Sequence, residues 1–218
     1  HWCTQGVKVT AMETPRTIHD FGRGLPSQLF EVQYPAPGSV ELARRIQDTL
    51  HPIHVELDHS WGFDHAVWTV LSVIYPQADI PVVQLSMDAS KPISWHYEVG
   101  RALRPLREEG FCILGSGNVV HTLAQMEWNI NAQPHDWADR FNDLVINVIE
   151  TDTPERFFDH EALGQDAALS IPPPDLGHYW PLFYVLGARH PDDKLTMNPK
   201  HVQYKSLSML SFVLDSAA

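Results

Sequence analysis

The chain has 218 residues with an ordinary apolar fraction of 44%, enough to bury a substantial core and consistent with a globular protein of one domain. Its formal net charge of −12 argues against nucleic acid or an anionic membrane as the main partner, since both require clustered Lys and Arg. No run of 18 apolar residues occurs, so no spanning helix is expected, and two cysteines, Cys3 and Cys112, are too few for a disulfide framework.

Along the chain, Val7 to Met12 alternates as a strand does. Thr14 to Ser39 is a long Pro/Gly-rich loop, containing Phe21-Gly22-Arg23-Gly24-Leu25-Pro26 and Tyr34-Pro35-Ala36-Pro37-Gly38, and long loops in compact domains are often functional. Ser39 is placed to cap a helix running to Leu50, with Leu42, Ile46 and Leu50 on one stripe. His54 to Asp58 reads as a short strand and Phe63 to Tyr75 as a helix stopped by Pro76. Pro81 to Met87 reads as a buried strand and Pro92 to Glu109 as an amphipathic helix closed by Gly110. Phe111 to Leu114, with Cys112 inside it, reads as a second buried strand, ending at Gly115-Ser116-Gly117-Asn118. Asp136 to Ile149 is a helix with Trp137, Phe141, Leu144, Val145 and Val148 inward. After Pro172-Pro173-Pro174 come a helix from Leu176 to Leu186 and a terminal strand from Lys205 to Leu214. Strands alternating with helices predict an α/β fold: a three-layer α/β/α sandwich around a central mixed, mainly parallel sheet, in one domain spanning 1–218.

Thirteen histidines and seven tryptophans stand out, because imidazole is the commonest transition-metal ligand and titrates near neutrality. In α/β sheets ligands collect at the carboxyl ends of strands, and four histidines are placed for this. His1 would end a strand, His65 lies at a strand-to-helix junction, His121 follows the 115–118 turn, and His178 opens a helix. The ligands are dispersed, so no spacing motif supports them, and each taken alone reads first as a satisfied core or surface histidine. His51, His54, His59, His96, His135, His160, His190 and His201 read as solvent-facing or packing residues. His19-Asp20 reads equally as the rim of a site and as a surface turn. Trp128 and Trp180 read as core or rim packing, with a substrate-facing role as the alternative. Ser116 has no His/Asp pairing at the spacing of a nucleophile.

The segments His1-Trp2, Val9-Thr10-Ala11-Met12-Glu13, Thr17-Ile18-His19-Asp20-Phe21, Tyr34 to Gly38, Trp61-Gly62-Phe63-Asp64-His65, Gly115 to His121, His178-Tyr179 and Ser206-Leu207-Ser208-Met209 resemble the class III extradiol ring-cleavage dioxygenases, in particular the 4,5-DOPA dioxygenase branch. The resemblance runs end to end with the motifs in the family's order. It implies a non-haem, metal-dependent enzyme that opens a catechol ring, DOPA-like or otherwise substituted, with O₂. His1 and His178 are then expected as metal ligands, His121 as the acid/base residue that also contacts a bound zinc, and His65 as a substrate- and oxygen-binding residue. Where the family carries Gly after that histidine, this chain has Ala66. Fe(II) is expected for turnover and Zn(II) as a possible bound ion. The expected partners are a small catechol and O₂, in a cytoplasmic monomer or homodimer.

The family's first metal histidine lies in a His-Gly-Ser-Pro segment that would precede His1, so the sequence reads as lacking its N-terminal part. The alternatives that follow are a zinc-binding relative or an incomplete fragment, either without oxygenase turnover.

Overall fold

A computed structural model describes residues 1–22, 25–172 and 176–216. The chain forms two compact units, His1–Ser90 and Lys91–Ala218. The first holds strands β1 (Cys3–Thr4), β2 (Val7–Thr10) and β3 (Arg16–Thr17), helix α1 (Val40–Thr49), strands β4 (Val55–Asp58) and β5 (Gly62–Phe63), helix α2 (His65–Ile74) and strand β6 (Met87–Asp88). The second holds α3 (Ile93–Leu103), α4 (Pro105–Glu108), α5 (Asp136–Thr151), α6 (Gln165–Ser170) and α7 (Pro181–Gly187), then β7 (Lys194–Met197), β8 (Val202–Gln203), β9 (Leu207–Ser208) and β10 (Phe212–Asp215). Single 3₁₀ turns lie at Ser27–Phe30, Leu123–Gln125, Pro154–Phe157 and Glu161–Leu163.

The α/β class expected from the sequence is present. In the first unit the ladders are parallel: β2 on β4, β3 on β5 and β1 on β6. In the second they are antiparallel: β7 on β10 and β8 on β9. Among the described residues the strands pair two by two, where a continuous central sheet was expected.

Residues 84–88 show why a ladder breaks. The main chain there bonds to β2 on one side, through Thr10 N–H to Gln84 O at 3.0 Å and Ser86 N–H to Lys8 O at 2.8 Å. It bonds to the β1 segment on the other, through Met87 N–H to Trp2 O at 3.0 Å and Ala89 N–H to Thr4 O at 2.8 Å. Hydroxyls take two further amides here: Gln84 N–H donates to Thr10 Oγ1 and Lys8 N–H to Ser86 Oγ, each at 2.8 Å. Side chains thus satisfy amides that a regular ladder would use, and the strand expected from Pro81 to Met87 shrinks to β6.

Other expectations are corrected by local chemistry. The helix read from Pro92 to Glu109 divides into α3 and α4 at Pro105, which has no N–H to continue the ladder. Gly110, at φ +88°, then ends the segment. Phe111 to Leu114 forms no strand: Phe111 N–H turns back to Leu106 O at 3.1 Å, and Leu114 is 44% exposed. Cys112, read as a packing residue in that strand, is exposed. An apolar run alone does not supply the partner strand that would bury it. The helix expected from Leu176 begins at Pro181, preceded by a turn over 177–180, and Pro173-Pro174 lie outside the described residues, as do Arg23-Gly24 of the loop. The single terminal strand becomes β9 and β10.

The cap of α1 is as expected: Ser39 Oγ accepts from Leu42 N–H at 3.0 Å, and Ala43, Ile46 and Leu50 are buried. In the first unit Tyr34, Ala36, Phe63, Trp68 and Leu71 form the core beneath α2. In the second, α5 buries Phe141, Val145, Val148 and Ile149. Phe157, Tyr179 and Phe183 form an aromatic cluster with Phe141.

The second unit is fastened by a buried ion pair. Arg107 donates to both oxygens of Asp193 at 2.6 and 2.9 Å, and also to the carbonyls of Ala188 and Leu214. The Asp193 side chain is 0% exposed. Burial pushes its carboxyl up, but Arg107 and the His190 N–H more than offset this and hold it below its ordinary 3.8. A carboxyl depressed in the folded state contributes stability that is complete above its unfolded pKa and is lost as pH falls through the folded value.

Two measurements follow. Asp193→Ala leaves Arg107 buried without its partner and is expected to cost about 3–5 kcal/mol in denaturant unfolding at neutral pH. The difference from the wild type should narrow as the pH drops below 3.8. Separately, a Cβ on Gly117 would fall 2.2 Å from the His178 carbonyl oxygen. Gly117→Ala is therefore expected to destabilise by about 1–3 kcal/mol, read as a lowered melting temperature.

Candidate active site

In the first unit the chain is folded back on itself to bring His1 and His65 together. Trp2, buried at 5% exposure, stacks on Trp61 with rings 5.4 Å apart and 4° from parallel. Asp58, at the end of β4, turns the chain toward that stack: its Oδ1 accepts from the N–H groups of Ser60 and Trp61 at 2.8 and 2.7 Å. Burial raises the Asp58 carboxyl, but these amides and the Ser60 hydroxyl pull it below its ordinary value. Strand β5 then runs beside β3, and α2 starts at His65. The His1 and His65 rings lie 5.4 Å apart, edge to face at 87°.

The β3–β5 pairing also carries the 18–20 loop to the start of α2. Ile18 N–H donates to Phe63 O at 2.7 Å, and the Trp68 indole N–H donates to Ile18 O at 2.9 Å. Asp20 consequently meets His65. Its Oδ1 accepts from the His65 main-chain N–H at 2.9 Å and bonds the imidazole Nδ1 at 2.8 Å. Burial raises the Asp20 carboxyl, but the amide and imidazole of His65 outweigh it and the net shift is downward. The sequence left Asp20 undecided between rim and surface turn. No local pattern reveals this pairing, because the two residues are 45 positions apart. Its neighbour His19 turns into the aromatic cluster of Phe21, Phe30 and Trp68, with Nε2 at 2.9 Å from Val32 O.

In the second unit His121 and His178 stack face to face, with ring centroids 3.7 Å apart and planes 13° apart. Their main chains are fixed independently. Asn118 N–H donates to His178 O at 2.7 Å, and Gly117 leaves room for that approach. The Asn118 side-chain oxygen accepts from Val120 N–H at 3.1 Å, closing the turn before His121. His121 N–H donates to Ser170 O at 2.8 Å, and His121 bridges Leu207. On the His178 side, Tyr179 is fully buried, and that burial drives its phenol well above its usual range. Trp180 stacks on the buried His96 at 4.7 Å, and His96 Nδ1 lies 3.0 Å from the Tyr184 hydroxyl.

The remaining candidates separate by burial. His96 and His160 are core residues, whereas His51, His54, His59 and His201 are exposed. Trp180 packs inside at 6% exposure, and Trp128 is 76% exposed with an edge contact to Tyr204. Chemically, the candidate histidines of each unit offer imidazole nitrogens of the kind that suits a divalent transition metal or the movement of a proton.

Comparison with known proteins bears on this geometry. The chain is 49% identical over 218 residues to a protein of Escherichia coli K12 named 4,5-DOPA dioxygenase extradiol, covering 97% of this chain and 78% of that one. Proteins with the same name from Beta vulgaris and Portulaca grandiflora are 36% and 33% identical, covering 89% and 99% of this chain and 72% and 80% of theirs. A crystal structure of an uncharacterised protein from Escherichia coli K12 superposes with a TM-score of 0.81 at 43% identity, covering 97% of this chain and 82% of that one. Residues 1–214 match the family described as the catalytic LigB subunit of aromatic ring-opening dioxygenase. The chain belongs to the LigB family of aromatic ring-opening dioxygenases.

Proposed function

We propose that this protein is an extradiol dioxygenase that opens the ring of a catechol of the DOPA type with O₂. The observation that carries the reading is the 49% identity, along nearly the whole chain, to a protein named for that activity. The same reading makes residues 1–218 one catalytic domain of three-layer α/β/α form. It acts as a monomer or homodimer in the cytoplasm, and its partners are the catechol and O₂.

The donor set fits a divalent metal ion. His1 and His178 are proposed as ligands, with His121 an added contact when zinc is bound. Bound Fe(II) would supply the electron transfer between catecholate and O₂ that zinc, with its filled shell, does not offer.

The protein's own residues prepare the substrate. His121 takes the proton of a catechol hydroxyl at a ring nitrogen, which an imidazole does well because its ordinary pKa lies near neutrality. Its stack on His178 fixes the plane of the ring, so proton exchange occurs at its edge. His65 receives the substrate at the mouth of α2, where Asp20 holds the inner ring nitrogen. The Trp2–Trp61 stack packs the residue next to His1 and limits the movement of that backbone.

Two experiments test this. His121→Phe is expected to lower ring opening by at least about 10²-fold, followed by absorbance of the ring-opened product. Elemental analysis should find most of the metal retained; metal lost along with activity would make His121 a ligand first. Apo-protein reconstituted with Fe(II) should turn over a catechol, while rigorously iron-free zinc protein should not. Turnover by the zinc protein refutes the iron assignment, and turnover with neither metal favours a zinc-binding relative without oxygenase activity.

A further inference from the structure

Asp20 sits where two jobs meet. The helix α2 begins without a side-chain cap from its own N-cap residue, Asp64. The Asp64 carboxylate is instead 0% exposed and turned to Gln84, whose Nε2 donates to it at 2.7 Å. The first amide of the helix, that of His65, is taken by Asp20 Oδ1 from a separate loop. The same oxygen holds His65 Nδ1. A carboxylate ionised at neutral pH only accepts, so Nδ1 must carry the proton, and the lone pair of the neutral ring lies on Nε2. With main chain and ring both tied to one oxygen, the imidazole cannot exchange tautomers or swing without giving up a charge-assisted bond.

The tie is itself well supported. Its loop is paired to β5 through Ile18 and anchored to α2 by the Trp68 indole. The other carboxylate oxygen of Asp20 lies 3.9 Å from the main-chain nitrogen of His1. One side chain therefore stands beside both His1 and His65. The Asp20 and His65 side chains are 21% and 27% exposed, shielded enough for a charge-assisted bond to persist.

We propose that Asp20 is a positioning residue: it locks His65 in the Nδ1–H tautomer and presents Nε2 as the nitrogen that engages the substrate. Its consequence for turnover rests on the ring-opening reading, whereas its hold on the tautomer does not. The role differs from simple helix capping, which would leave the ring's chemistry unaffected.

The test pairs a spectrum with kinetics. Protein labelled with ¹⁵N-histidine and loaded with diamagnetic zinc is examined by long-range ¹H–¹⁵N correlation, with the His65 signals assigned by their loss in His65→Gln. The wild type and Asp20→Asn, which keeps an acceptor oxygen, are expected to show the Nδ1–H pattern. Asp20→Ala is expected to lose it. In the iron-loaded enzyme, Asp20→Ala should lower kcat/KM by about 10- to 100-fold, and Asp20→Asn should recover most of that loss. A wild-type spectrum showing Nε2–H overturns the proposal. So does an Asp20→Ala protein that melts lower but keeps the wild-type tautomer and kcat/KM, since Asp20 is then a cap and nothing more. If Asp20→Ala does not fold, the wild-type spectrum together with the kinetics of Asp20→Asn decides. If the wild type opens no catechol, the ring-opening reading falls, and the His65 spectrum alone supports or overturns the role of Asp20.

Discussion

The constraint on which the rest depends is the close crossing of main chain over main chain at two bare glycines. In the first unit β3 passes β5 so tightly that a Cβ on Gly62 would fall 2.3 Å from the Arg16 carbonyl oxygen. In the second, the 115–118 turn lies against residues 178–181, with Gly117 opposite the His178 carbonyl. A chain whose candidate histidines are scattered in sequence has no local motif to hold them. It relies on amide-to-carbonyl bonds between distant segments, and these form only where no side chain keeps the backbones apart. Ile18 to Phe63 and Asn118 to His178 are those bonds.

The histidine pairs are then made rigid by their surroundings in different ways. Around His1 and His65 the fixing elements are polar and stacked: the Asp58 turn, the Trp2–Trp61 pair and the Asp20 carboxylate. Around His178 they are apolar, since Tyr179, Trp180 and Phe183 are all buried and pull the segment into the aromatic core. Such packing limits the positions the His178 ring can take. A chain with a formal charge of −12 thus places carboxylates sparingly where they matter. Asp20 lies beside His65, and Asp193 is paired with Arg107 and the His190 N–H.

The sequence by itself determined the α/β class, the family and the helices whose signals are local. The Ser39 cap, the apolar stripe of α5 and the arrest of α4 at Gly110 are all legible, because each depends on residues within a turn or two of one another. Resemblance also marked His1, His65, His121 and His178 as the residues to examine. Tertiary structure alone decided what depends on partners far along the chain. It interrupted the Pro81–Met87 strand, where the Gln84 amide goes to the Thr10 hydroxyl and the Ser86 hydroxyl takes the Lys8 amide, and it left Phe111–Leu114 outside any strand with Cys112 exposed. It stacked His121 on His178, and it brought Asp20 across 45 residues to His65. Helix periodicity and capping are written in neighbouring side chains, whereas strand pairing, ring stacking and the tautomer of an imidazole are set by groups that only the folded chain brings within bonding distance.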